Sequence, residues 1–154
     1  MPIENIETEK RLEKERVIEN IIGMAFLTSQ IYISGTIADV KFFSRKPDKI
    51  NKELFLKKFG DPLPGRNVTS IELCDAYANY YKHHEDWVDV DSRNRKTIQI
   101  LTSAGIEVVS DKRHMIEVPF SRMIDLLLAT ENGIELDVLL IILSNCRNRV
   151  FASI

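Results

Sequence analysis

At 154 residues the chain is long enough for one core that needs no disulfide or metal staple. Its 44% hydrophobic and 29% charged residues, with only 6 Gly and 5 Pro, exclude a disordered chain and a turn-rich β protein. A net charge of −2 excludes a surface coated in positive charge and leaves a mostly all-α domain spanning 1–154 as the expectation.

From Ile3 to about Ser44, apolar residues recur at helical spacing (Leu12, Ile18, Ile21, Ile22, Ala25, Phe26, then Ile33, Ile37, Val40), which predicts one or two long helices with Gly35 as a candidate break. The helix must stop near Lys46-Pro47-Asp48, because the residue before a proline is pushed out of helical geometry. Residues 49–59 predict a short amphipathic helix, closed by the proline- and glycine-dense loop Gly60 to Gly65. Thr69 or Ser70 is placed to cap the next helix, with Glu72 in its first turn, and that helix is expected to reach His84 or Trp87. After a polar interval comes a helix near Lys96 to Ala104, stopped by Gly105. Two apolar runs within 106–118 allow a small β-hairpin. Pro119 opens a helix through Leu128, Asn132-Gly133 closes it, and Glu135 to Asn145 reads as an apolar helix buried on most sides.

The apolar stretches fall short of the ~20 residues a membrane span needs, so no transmembrane helix and no membrane partner is expected. Cys74 and Cys146 lack a C-x-x-C partner, and no signal-peptide pattern precedes them, which points to the cytoplasm. Charge is unevenly distributed. Lys41 to Arg66 holds eight basic and three acidic residues, while Glu72 to Asp91 holds one basic and six acidic, so the chain can pair with itself or with a copy.

Two constellations carry chemistry. The first is Cys146-Arg147-Asn148-Arg149-Val150-Phe151-Ala152, directly after the apolar helix. Basic residues there also suit a helix C-terminus, where they meet the negative end of the macrodipole. The second is Asn79 to Trp87. Asp75, Asn79, Lys82/His83 and Asp86 are spaced as one polar stripe, beside a buried stripe of Ile71, Cys74, Ala78 and Tyr81. Its acidic residues and histidines raise the question of a metal. Adjacent His83 and His84 project about 100° apart on a helix and no H-E-x-x-H is present, so neither metal nor cofactor is expected.

The C-terminal segment resembles the R-N-x-x-x-H motif of HEPN domains, small helical bundles that are usually dimeric. Arg147-Asn148-Arg149-Val150-Phe151 matches the opening, and Ala152 stands where the family has histidine. None of His83, His84 and His114 lies four to six residues after an arginine, and the second Arg-Asn-Arg, Arg93 to Arg95, reads as a loop. The resemblance implies a metal-independent endoribonuclease of the kind used as a toxin in toxin–antitoxin or anti-phage defence systems, here disabled. In that chemistry the RNA 2′-hydroxyl attacks the adjacent phosphorus, an imidazole moves the protons, and an arginine stabilises the phosphoryl charge. The implied roles are Arg147 on the phosphate, position 152 in acid/base work and Asn148 in orientation. Arg149, Asn79, Lys82 and His83 are candidate RNA contacts, with His83 approaching Arg147 in a homodimer. An RNA substrate, a second copy and an antitoxin protein are the implied partners. Alanine at 152 fits natural loss or a deliberate change that silences a toxic nuclease, and the second is preferred. The alternative is a non-catalytic helical interaction protein: an antitoxin, an immunity protein or an RNA-binding HEPN module.

Overall fold

Forty-one residues without a proline form one helix, α1 (Ile3–Phe43), unbroken at Gly35. A single helical glycine costs about 1 kcal/mol, too little to end a helix held by packing on both sides of it. The computed structural model describes residues 3–44, 50–87, 90–110, 116–117, 120–130 and 133–153; Lys46-Pro47-Asp48, His114, Pro119 and Asn132 lie outside them. The inner face of α1 buries Ile22, Phe26, Ile33, Ile37 and Val40. Over an 18-residue window its mean hydropathy reaches 1.4, with a third of that window buried, so by length and composition alone α1 is able to cross a membrane, contrary to the sequence expectation. Its inner face argues for a core helix instead, because Gln30 there bonds a carboxylate that in turn holds a lysine, an arrangement costly in lipid.

Asn51 caps α2 (Lys52–Phe59) by accepting the Glu53 N–H at 2.8 Å. The loop that follows is held by the Leu63 N–H to Val68 carbonyl bond (3.0 Å) and a bridge between Pro62 and Thr69. Thr69 then opens α3 (Ser70–His83) with a reciprocal capping box. Its Oγ1 accepts from Glu72 N–H at 3.2 Å, while its own N–H donates to Glu72 Oε2 at 2.8 Å. A 3₁₀ turn, His84–Asp86, extends it. α3 is the buried centre of the molecule and runs antiparallel to α1: Tyr81 meets Asn20, Tyr77 meets Phe26 edge-on at 5.1 Å, and Asp75 meets Gln30.

Asp91 turns the chain into α4 (Arg95–Ser103), its Oδ1 accepting from the Arg93 and Asn94 N–H groups at 2.7 and 3.3 Å. Gly105 ends α4 at φ +77°, where a side chain would also strike the Arg66 guanidinium. The anticipated hairpin forms between β1 (Val109–Ser110) and β2 (Ile116–Glu117). After α5 (Phe120–Leu127) a second hairpin, β3 (Ala129–Thr130) with β4 (Gly133–Ile134), appears where the sequence pointed only to a helix stop, with Gly133 at φ +115°. The fold is therefore all-α, six helices around one core, with strands limited among the described residues to these two-residue pairs.

The last helix, α6 (Asp137–Phe151), departs from expectation twice. It runs through the Arg147-Asn148-Arg149 motif rather than stopping before it. It also buries one face only: Leu139, Ile142, Leu143, Cys146 and Val150 face the core, while Leu140 and Ile141 are exposed.

Candidate functional site

The last two turns of α6 carry the three motif positions, and the fold gives each a different environment. Arg149 is tied down. It donates to the Gly60 carbonyl at 3.1 Å and pairs with Asp61, whose other oxygen accepts from Asn145 at 3.3 Å. Arg147 is exposed at the edge of a pocket of ≈ 340 Å³ lined by Tyr32, Gly35, Asp39 and Phe151, and among the described residues it holds no hydrogen bond or ion pair. Asn148 is exposed, and its carbonyl accepts the Ala152 N–H at 3.0 Å. Ala152 therefore sits one turn beyond Asn148, exposed and in helical geometry (φ −71°, ψ −12°), with room for a larger side chain. Cys146 faces inward. Burial, reinforced by Asp61 and opposed by Arg149, pushes its thiol up to about 11, so it is protonated and unreactive near neutrality.

The second constellation is split by the fold. Asp75 and Asn79 are drawn into a polar network: Gln30 Nε2 donates to Asp75 Oδ1 (2.9 Å) and Asn79 Oδ1 (3.0 Å), and Lys52 Nζ lies 2.6 Å from the same Asp75 oxygen. His83 and Lys82, about 100° apart on α3, face different pockets. His83 lines a pocket of ≈ 450 Å³ with Asn79, Asp86, Trp87, Arg93 and Thr97, whereas Lys82 lies with Tyr81, His84 and Glu85 against α1. Tyr81, placed in the buried stripe by spacing, is only half-buried, because its hydroxyl reaches Asn20 at 2.9 Å. Nor do the two constellations meet within one chain. Arg147 lies beside Tyr32 to Asp39 of α1 and Tyr81 beside Asn20 to Gly23, which sets them about 20 Å apart along the helix.

Sequence reasoning missed Arg93, which it left in a loop. The Asp91 turn presents it to the His83 pocket and to an adjoining one of ≈ 290 Å³ that also holds Lys52, Glu53 and Lys96. The readable signal was Asp91-x-x-Asn94, in which each side chain caps the other's backbone: Asn94 Oδ1 accepts Asp91 N–H at 2.9 Å. This groove is internally neutralised. Arg93 pairs with Asp91 at 2.6 Å, Lys96 with Glu53 and Lys52 with Asp75. Arg93 holds the Asp91 carboxyl, and Lys96 that of Glu53, below the usual carboxylate range. With Glu72 and Asp86 added, acidic groups outnumber basic ones there, which disfavours a polyanion. Among the described residues no cluster of three or more His, Cys, Asp or Glu is arranged to hold a metal ion. No known protein family, curated protein or solved structure matches the chain at significant similarity.

Proposed function

We propose that this chain is a HEPN-type helical module that contacts the RNA backbone through Arg147 and Asn148, and that in its present form, with alanine at position 152, it binds without cutting. The observation that carries this reading is the contrast at the end of α6: Arg149 is consumed by Asp61 and Gly60, while Arg147 stands exposed with its guanidinium unclaimed among the described residues. A free guanidinium is suited to forked, charge-assisted bonds with a phosphate. Chemistry needs a group that moves protons near neutrality, and the described imidazoles, His83 and His84, belong to the far end of α3. The parent activity on this reading is metal-independent endoribonuclease, used as a toxin in defence or toxin–antitoxin systems and restrained by an antitoxin protein. Its compartment is the cytoplasm, in keeping with two free, buried thiols.

The test has two arms. Binding of labelled single-stranded RNA, followed by anisotropy, should weaken about tenfold on Arg147→Ala, with the log–log salt slope falling by about 0.7 for one lost phosphate contact. RNA cleavage should appear on Ala152→His and vanish when Arg147→Ala is added. RNA binding indifferent to Arg147 would refute the reading; binding that depends on Arg147 without cleavage by Ala152→His would leave a binding module and remove the nuclease ancestry.

A further inference from the structure

On α1, Tyr32, Gly35, Thr36, Asp39 and Phe43 follow one another at helical spacing and share one stripe, and on α6 Arg147 and Phe151 stand four residues apart on another. Both stripes line the pocket of ≈ 340 Å³ at whose edge Arg147 sits. Three of the lining residues are aromatic rings left bare: Tyr32 is 38%, Phe151 62% and Phe43 69% exposed. Gly35 lines the same pocket with nothing within 4 Å of where its Cβ would be, so it leaves space that any other residue would fill.

Charge sets this pocket apart from the groove beside His83, where Arg93, Lys96 and Lys52 are each paired with a carboxylate. Here Asp39 and Arg147, opposite in sign, line one cavity. Among the described residues they do not pair with each other, and neither side chain holds any other ion pair or hydrogen bond.

We propose, as an extension that rests on the RNA reading of Arg147, that this pocket seats one unpaired guanine base of the bound RNA. The base stacks among Tyr32, Phe43 and Phe151 over Gly35, Asp39 accepts hydrogen bonds from its Watson–Crick edge, and Arg147 holds a neighbouring phosphate. The volume lies at the small end of the range for ligand pockets, about 300–1,000 Å³, which suits a single nucleotide. Exposed rings beside a bare glycine suit a flat ligand, and unpaired bases are held in this way, by aromatic faces and by bonds to their open edges.

Asp39 selects the base. A carboxylate has two acceptor oxygens and no donor, and guanine offers N1–H and its 2-amino group side by side. Adenine and cytosine offer one amino group beside a bare ring nitrogen, and uracil offers one N–H between two carbonyls, so each sets lone pairs against the carboxylate. Asp39 repels a polyanion unless the base donates to it, and only guanine donates twice.

Fluorescence anisotropy of the full chain with short labelled uridine RNAs, each carrying guanine, adenine, cytosine or uracil at one central position, tests the proposal. The guanine RNA should bind about tenfold tighter than the other three, and Asp39→Asn should bring that ratio near one. Phe151→Ala, which removes an exposed ring, should weaken the guanine RNA about tenfold. Gly35→Leu, which fills the pocket, should weaken it as much without lowering Tm, a combination that damage to the fold does not give. Arg147-dependent binding with no preference among the four bases, a preference that survives Asp39→Asn, or binding indifferent to Gly35→Leu would overturn the pocket and leave the RNA reading standing. No binding of any of the four RNAs would overturn both. Free guanosine monophosphate bound as tightly as the guanine RNA would overturn the assignment to RNA and make this a nucleotide site.

Discussion

Two positions apart on α6, Arg149 reaches back to Asp61 and the Gly60 carbonyl while Arg147 stays at a pocket edge unclaimed, so the same substitution should read out differently at each. Arg149→Ala is expected to cost about 1 kcal/mol, since the pair is partly exposed and screened, and to lower Tm by a few degrees. Arg147→Ala should leave Tm unchanged and act only on RNA binding. The same neighbourhood sets a pH dependence. Burial raises the Cys146 thiol to about 11 from its usual value near 9, and raises Cys74 and Tyr77 as well. A group whose folded value is raised contributes stability fully below its unfolded value and loses it as pH climbs toward the folded one. Stability should therefore hold to about pH 9 and decline above it, which urea midpoints at pH 7, 9 and 10.5 would show; a flat profile would contradict the burial of these groups.

At the scale of the element, α1 contains two glycines with opposite reasons for being there. A Cβ at Gly23 would overlap the Tyr81 ring, which its hydroxyl pins to Asn20. Gly23→Ala is thus expected to destabilise the protein by about 1–3 kcal/mol through overpacking. Gly35 faces open space, so Gly35→Ala should instead raise Tm, through about 0.5–1 kcal/mol of helix propensity. Thermal melts of the two variants check the contrast. The start of α3 depends on Thr69, which caps Glu72 N–H and also donates to the Leu56 carbonyl at 3.0 Å, thereby binding the end of α2 to α3. Removing the hydroxyl in Thr69→Ala costs about 1–2 kcal/mol.

For the whole molecule, the Asp75 carboxylate is the joint. It receives Gln30 from α1 and Lys52 from α2 while itself belonging to α3, and it is buried. Asp75→Ala leaves the Gln30 amide with Asn79 Oδ1 as its remaining side-chain acceptor, and Lys52, half exposed, can turn to water; the expected loss is about 1–2 kcal/mol in urea unfolding, from the lost tie between three helices.

Local chemistry is what the sequence determined by itself. Thr69 with Glu72, Gly105 after α4 and the apolar period of α1 are decided by caps, φ preferences and spacing within a few residues, and each stands where the chain alone placed it. The all-helical class follows from these, as does the hairpin near 106–118. Whether α1 breaks at Gly35 and which side of α6 is buried were decided by tertiary structure, because each depends on what packs across from the residue. The same holds for the site. The arginines of the motif were legible as residues, but only the return of the Gly60-Asp61 loop to α6 separates the paired Arg149 from the free Arg147, and only the turn made by Asp91 brings Arg93 beside His83. Contacts between positions some ninety residues apart leave no local pattern to read, since their energy comes from burial and from charges meeting across elements rather than along them.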